Sequence, residues 1–456
     1  MRLLISVRRY LLFHLTPQRI FVLSFLILIL AGAFLLWAPF SAGNRYLTFV
    51  DALFTSVSAV CVTGLTVIDI GTDLSFTGQI ITMILFQCGG LGIITFSVFF
   101  FHLMGISISF TGREVIQSSF LPSPQRDFQV ILKYVLISTL IIESIGAAIL
   151  VPRFAQDFPI KKAVYLSIYH AISAFNNCGY ALFPDSFIGY QGDIIINITL
   201  MALIVLGGIG FAVQFEVLSF FKKTKKRLSL HAKIVLITTA ILILSGAVLF
   251  FFFENNFIIK DAPWHKKILI SLFQSITART AGFNTVDIGL LTNDTILVLM
   301  ILMFIGASPG SAGGGVKTTS LAVLFIMLWN RIKGHEEVNI MNRTIPNELV
   351  SRVIYIIFAS VFSIAIITSL MLFAGGRVQP LASRHLFIEY LFDTISAFAT
   401  AGLSMGITPH LNNPQKIILS ILMFAGRVGP LTLAFSLSMK PKKLAIRYAE
   451  ENIMVG

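Results

Sequence analysis

The sequence predicts an all-α polytopic membrane protein: four tandem helix–pore loop–helix repeats around a central pore, with eight spanning helices and four re-entrant half-helices. Three observations lead there. Of the 456 residues 56% are hydrophobic and only 12% are charged, against roughly 25% charged in a soluble domain, so a water-soluble enzyme of this size could not cover its own exterior. Eight apolar runs are long enough to span a bilayer, at 18–40, 76–104, 129–151, 194–221, 233–254, 294–330, 352–374 and 415–438. Finally, two glycine signatures recur four times at matched spacing.

The first run follows Arg2, Arg8, Arg9 and Arg19 and is longer than a signal-peptide core, so it reads as a retained spanning helix. The runs fall into pairs, and a shorter apolar segment separates the members of each pair: 49–62, 163–177, 268–280 and 385–400. These segments are too short to cross a hydrocarbon core of about 30 Å as helices and are expected to enter and leave on one side. The repeats are assigned to 1–105, 106–222, 223–335 and 336–440, with a cytosolic C-terminal tail over 441–456. Cys61, Cys88 and Cys178 lie in apolar surroundings without CxxC spacing, and neither a disulfide framework nor a zinc site follows.

Each short segment ends alike: SAVCVTGL (58–65), SAFNNCGY (173–180), ITARTAGF (276–283) and SAFATAGL (396–403), which place Gly64, Gly179, Gly282 and Gly402 in register. The next long run carries the second signature, FQCGGLG (86–92), VLGGIG (205–210), FIGASPG (304–310) and FAGRVGP (424–430). From the first glycine to Gly89, Gly207, Gly306 and Gly426 the spacings are 25, 28, 24 and 24 residues. Small residues at helix contacts account for a lone glycine; four copies in matched context point to a shared structural task.

That task is legible in the chemistry. Irregular backbone survives at membrane depth only where protein or a water-filled cavity surrounds it. Four such stretches on one axis form a ring of carbonyl oxygens able to replace an ion's hydration shell, and glycine takes positive φ without Cβ strain. The residues beside the glycines (Thr63, Asn177, Thr280, Thr400) are neutral, so oxygen dipoles rather than a charge ring would select a weakly hydrated monovalent cation. Each half-helix aims its partly negative C-terminal end at the membrane centre. Asp69, Asp185 and Asp287, just beyond the glycines, either gather cations at the outer mouth or serve as solvated loop acids.

The sixth run breaks the pattern. As a single helix, residues 293–331 would be about 58 Å long, and the middle, GASPGSAGGGVKTTS (306–320), is rich in helix breakers. A loop at membrane depth beneath the filter is expected, able to gate the pore as Ser308, Ser311, Thr318 and Thr319 move aside. GGGVKTT resembles a phosphate-binding Walker A loop, but Val316 stands between Gly315 and Lys317 and no strand precedes it, so nucleotide binding is not expected. Arg427 lies at matching depth in the last long run. Buried intramembrane charges need partners, and Arg427 is expected to donate to carbonyls of the 306–316 loop and hold the gate closed. Arg279 is expected to pair with an acid or with loop carbonyls, and Glu143 to make either an interhelical contact or a functional one.

Orientation follows from Lys and Arg. The side holding both termini carries 21 of the 34 and the pore-loop side 10, with Arg279, Lys317 and Arg427 inside the membrane; the bias puts both termini in the cytoplasm. The run KKTKKR (222–227) fits contact with anionic lipid or an acidic cytosolic partner.

The motifs VTGL (62–65), SAFNNCGY, TARTAGFN (277–284), SAFATAGL, GASPGSAGGGVK (306–317) and MFAGRVGPLT (423–432), in that order, resemble those of the Ktr/Trk/HKT superfamily of potassium transporters over about residues 15 to 440. The single helix before the first pore loop resembles the Ktr branch, since Trk subunits carry two additional N-terminal helices. The resemblance implies a subunit of a bacterial potassium uptake system in the inner membrane. Its filter carbonyls would belong to Val62, Thr63, Gly64 and Leu65; Asn177, Cys178, Gly179 and Tyr180; Thr280, Ala281, Gly282 and Phe283; and Thr400, Ala401, Gly402 and Leu403. It implies a gate made of Gly306, Ala307, Ser308, Pro309, Gly310, Ser311, Ala312, Gly313, Gly314 and Gly315, with Lys317 and Arg427. Relatives that admit sodium often carry serine at the place of Gly64, so K⁺ preference is implied, with Na⁺ a candidate activator. The resemblance further implies a homodimer on a cytosolic ring of nucleotide-binding RCK subunits (KtrA-like), with membrane lipids around it, no nucleotide bound by this chain and no nucleic acid. Pro309 departs from the family pattern and would stiffen the gate.

The competing transport reading is a Na⁺-coupled secondary K⁺ transporter with inverted repeats; here all four repeats read in one direction and only one long helix is expected to break. An enzyme is not expected, since none of the eight histidines shows HExxH spacing.

Overall fold

The computed structural model describes residues 17–92, 128–223, 227–376 and 383–429. Arg2, Arg8, Arg9, Arg113, Arg126, Lys225, Lys226, the tail 441–456 and the distal ends of the runs 76–104 and 415–438 lie outside the described residues.

Four long helices alternate with four short ones. The long helices are α1 (Pro17–Trp37), α4 (Phe128–Phe154), α8 (Leu230–Glu254) and α12 (Asn347–Ala374). Each packs on the short helix that follows it: α2 (Phe49–Val60), α5 (Ile160–Phe175), α9 (Trp264–Thr277) and α13 (Ser383–Ala399). Such half-helices begin where the chain offers a cap. Thr48 Oγ1 accepts the Asp51 amide at the head of α2, and prolines 159 and 263 precede α5 and α9. The long helices expose large apolar side chains (Phe34, Leu140, Leu244, Phe252, Phe358, Phe362), a belt that demands lipid rather than water.

A third set of helices stands inside: α3 (Phe76–Gly90), α6 (Ile194–Gly208) followed by α7 (Phe211–Phe221), α10 (Asn293–Phe304) followed by α11 (Thr318–Ile332), and α14 (Asn413–Val428). Each inner helix touches its own half-helix or the next one along: α3 packs on α5, α6 on α9, α10 on α13, and α14 on α2. The last contact closes the bundle, and Lys416 Nζ of α14 locks it with a 2.7 Å bond to Asp51 Oδ1 of α2.

Two expectations are corrected. More than one inner run is broken: α6 and α7 meet at 104° across two residues, with Gly210 at φ 90°, besides the break between α10 and α11. Among the described residues three helices are long and apolar enough to cross a membrane, or four if the bent pair is one span. The all-α expectation also fails locally. Val338–Ile340 (β1) and Arg343–Ile345 (β2) form an antiparallel hairpin whose Val338 and Ile345 pack with Val350 against α11 and the start of α12. Met341 and Asn342 turn it at positive φ, the conformation that suits a two-residue hairpin.

Candidate ion pathway

The four half-helices end in a common way. In the first, the Val62 amide donates to Ala59 O and the Thr63 amide to Ser58 O, the paired bonds of a Schellman cap. Asn177 and Cys178 repeat them on Ala174 and Ser173, and Thr400 and Ala401 on Ala397 and Ser396. In the third, the Ala281 amide reaches Thr277 O instead. Such a cap needs left-handed backbone, and Val62, Asn177, Thr280 and Thr400 supply it at φ 54°, 56°, 69° and 52°. Three of these are β-branched, for which this region costs roughly 1–2 kcal/mol each; surrounding packing must over-determine the loops. Two residues on, Gly64, Gly179, Gly282 and Gly402 are positive again, at φ 92°, 80°, 83° and 84°.

The glycines meet in a closed ring. A Cβ added to Gly64 would lie 2.2 Å from Cys178 O, one on Gly179 2.5 Å from Ala281 O, one on Gly282 3.0 Å from Ala401 O, and one on Gly402 2.2 Å from Thr63 O. Each loop therefore abuts the carbonyl of the next, and the fourth returns to the first. The second glycines have a different neighbour. A Cβ on Gly89, Gly207 or Gly426 would come within 2.0, 1.8 or 1.9 Å of the carbonyl of Val60, Phe175 or Phe398, so these residues seat the inner helices against the half-helix ends. Gly306 has no such seat; its neighbour is Gly314 O, 2.1 Å from the added Cβ.

The serine six residues before the glycine, present in three signatures, escaped notice as a functional element. Ser58 Oγ donates to Leu65 O and Ser173 Oγ to Tyr180 O, both at 2.8 Å, and Thr277 Oγ1 serves Phe283 O at 2.6 Å. The outermost carbonyl of three loops is thus tied to its own half-helix, whereas Ser396 Oγ, the fourth in register, has no partner among the described residues. The recurrence of Ser-Ala at the head of three signatures was the available clue. At the inner face, Thr63 Oγ1, both side-chain polar atoms of Asn177, and Thr280 Oγ1 are buried without partners. Such orphaned oxygens at the carboxyl ends of half-helices suit a dehydrated cation, which can take oxygen ligands from hydroxyl, amide and backbone carbonyl alike.

Residues 305–317 lie directly beneath. Gly313 presses on Thr280, its added Cβ 2.1 Å from Oγ1, and the Gly314 amide donates to Thr400 Oγ1 at 3.0 Å. The bend between α6 and α7 frees carbonyls that the loop satisfies: Ser308 N donates to Gly208 O, Ala312 N to Gly207 O, and Phe211 N in return to Gly310 O, at 3.0–3.2 Å. Lys317 Nζ donates to Gly313 O at 2.8 Å, Ser311 Oγ to Ser308 O at 2.6 Å, and Ser308 Oγ meets Thr318 Oγ1 at 3.0 Å. Arg427 donates to Ala312 O, as expected from its depth, and also to Gly89 O. Pro309 forms the tip, its carbonyl against Gly210.

Other singled-out residues fall outside this pathway. Asp69 Oδ1 accepts the Gly71 amide and Asp287 Oδ1 that of Gly289, so both acids are engaged in shaping their turns. Arg279 is buried beside a small cavity lined by Thr239, Ile276 and Ala307; the expected acid is absent among the described residues, and its Nε lacks a partner. Glu143 bonds Gln87 and Asn176. Gly306-Ala307-Ser308-Pro309-Gly310 spells the GxSxG pattern of serine hydrolases, but Ser308 lies on a break between helices, its hydroxyl beside Thr318, without the strand-to-helix elbow that pattern requires.

Residues 15–446 match the TrkH family, described as cation transport proteins. The chain is 34% identical over 443 residues to the Ktr system potassium uptake protein B of Bacillus subtilis, covering 97% of each. It is 36% identical to the protein of that name from Vibrio alginolyticus, covering 96% of this chain and 94% of that one. The potassium/sodium uptake protein NtpJ of Enterococcus hirae is 34% identical over 97% of this chain and 98% of its own. The crystal structure of the potassium transporter TrkH from Vibrio parahaemolyticus superposes with a TM-score of 0.71 at 19% identity, covering 93% of this chain and 86% of that one.

Proposed function

The chain belongs to the TrkH family of cation transport proteins, and on that premise we propose that it conducts K⁺ passively through a backbone-carbonyl filter gated by an intramembrane loop. It is a potassium uptake transporter subunit of the Ktr/Trk type, not an enzyme. The observation that carries the finer reading is the ring: four glycines of positive φ, each against the carbonyl that precedes the glycine of the next loop, the last against the first. Backbone held this way at the ends of four half-helices presents oxygen dipoles to one axis, and the helix ends add partial negative charge.

In this reading residues 62–65, 177–180, 280–283 and 400–403 make the filter. Leu65, Tyr180 and Phe283 anchor it through their carbonyls, and the three residues before each of them face the ion. The four-repeat division at 1–105, 106–222, 223–335 and 336–440 follows from it. Residues 306–316 with Lys317 and Arg427 form the gate, the loop filling the space under Thr280 and Thr400 while Arg427 clamps it to Gly89 on the opposite inner helix. We assign the chain to a bacterial inner membrane with both termini cytoplasmic, as a homodimer on a separate nucleotide-binding RCK ring that acts on the gate. Na⁺ enters as an activator; the relative named for both potassium and sodium favours a second reading, Na⁺-coupled uptake.

The test is the K⁺/Na⁺ permeability ratio in proteoliposomes. Gly64→Ser puts a side chain onto Cys178 O at a φ that disfavours it, and the ratio is expected to fall by roughly tenfold or more, a change of about 1.4 kcal/mol per decade. An unchanged ratio in folded protein removes Gly64 from the filter.

A further inference from the structure

We propose that Glu143 and Gln87 are positioning residues for the second filter loop, a buried bracket that keeps the ring from collapsing onto the smaller Na⁺ and so sets its preference for K⁺; this rests on the filter reading above. Asn176 is the C-cap of α5, one residue before the left-handed Asn177 and two before Cys178, whose carbonyl borders Gly64. Its side chain is wholly buried. Asn176 Nδ2 lies 2.6 Å from Gln87 Oε1, 3.0 Å from Glu143 Oε1 and 2.8 Å from Ile172 O of its own helix, its two hydrogens shared among the three acceptors. Gln87 Nε2 closes the triangle on Glu143 Oε2 at 3.3 Å.

Three elements meet in this triangle: α3 through Gln87, α4 through Glu143, and the second filter loop through Asn176. Both carboxyl oxygens of Glu143 accept from side-chain amides, and no ion pair to Glu143 is present among the described residues. A carboxylate in this setting is expensive unless it is well hydrogen-bonded. Two side-chain amides converge on the Glu143 carboxyl from different elements, so the loop is gripped, not merely covered. Gly90 lets the grip form, since an added Cβ would lie 2.1 Å from Asn176 Oδ1. The neighbouring Gly89 contacts Val60 O of the first half-helix, so the same stretch of α3 braces two adjacent filter loops.

The other loops have Cys61, Arg279 and Ala399 in register with Asn176, and none of these carries a comparable side-chain triangle among the described residues. The bracket is thus a feature of one loop in the ring. Its role follows from how carbonyl filters discriminate. In the snug-fit account of carbonyl filters the ring matches the larger ion and the smaller gains only by drawing the oxygens inward, so resistance to inward movement translates into selectivity. Removing the carboxyl acceptor loosens one quarter of the ring.

The experiment measures the K⁺/Na⁺ permeability ratio of the full-length chain in proteoliposomes for Glu143→Gln, Gln87→Met and, as reference, Gly64→Ser. The expected result is a ratio lowered roughly tenfold in both bracket variants, equivalent to about 1.4 kcal/mol of lost discrimination, with K⁺ flux still measurable. A contact that serves packing alone would lower the yield of folded protein and leave the ratio where it was. Should Glu143→Gln fail to accumulate, Gln87→Met decides, because it removes the bridge and leaves the acid in place. An unchanged ratio in a folded bracket variant, with a lowered ratio in Gly64→Ser, overturns this proposal alone. An unchanged ratio in Gly64→Ser overturns the filter reading and the bracket with it.

Discussion

The inner helix of the second unit and that of the third both break within a glycine signature, the first over two residues and the second over thirteen. The short break leaves carbonyls of Gly207 and Gly208 and the amide of Phe211 without helical partners, and the long break supplies all three from Ser308, Ala312 and Gly310. Neither interruption is complete without the other. In a membrane every backbone group must find a partner; in the gate proposed above, the bent helix is the socket and the glycine-rich loop the part that leaves it. The rest of the loop is held by side chains, Thr400, Lys317 and Arg427. This division predicts where perturbation opens the pore and how strongly.

The largest effect belongs to deletion of 307–315, which removes the moving part and leaves the socket. K⁺ uptake without any partner subunit should rise by at least roughly tenfold, since several bonds of about 1 kcal/mol each no longer hold the closed state; flux at or below the unmodified level in folded protein would break the comparison. Gly210→Ala attacks the socket. A Cβ there would lie 2.5 Å from Pro309 O at a residue with φ 90°, and the dislodged tip should raise flux by about fivefold in a rubidium uptake assay, through strain of roughly 1–3 kcal/mol. Thr400→Val is the mildest change, taking only the acceptor from the Gly314 amide. A two- to threefold rise is expected from roughly 0.5–1 kcal/mol, and a fall would mean that the Thr400 hydroxyl serves the ion more than the loop.

The half-helices were legible because short apolar segments between long ones have few readings at membrane depth: the segments 49–62 and 385–400 became α2 and α13 with ends shifted by at most two residues. The glycine registers were legible for the same reason, and all four first glycines took positive φ. The contact of Arg427 with the loop followed from the cost of an intramembrane charge. The bend at Gly210 was hidden, because 194–221 reads as one predominantly apolar run and a glycine inside a helix is tolerated at about 1 kcal/mol. Nothing in the local sequence announces that another segment will take up the freed backbone groups. The left-handed residues were hidden too. Val62, Thr280 and Thr400 are β-branched, and only the closure of a ring from four distant loops forces them there. The hairpin at 338–345 has a turn without glycine, Met341-Asn342, and strands of three residues, too short for period-2 alternation to stand out.

The central claim is passive K⁺ conduction, and the most direct measurement is K⁺ flux into proteoliposomes holding only this chain, with and without a Na⁺ gradient. K⁺ entry down its own gradient in the absence of Na⁺, and little altered in rate by an imposed Na⁺ gradient, is the result the account predicts. Flux that occurs only when Na⁺ runs downhill, with K⁺ moving against its gradient, would contradict it and assign the four-loop ring to a coupled transporter.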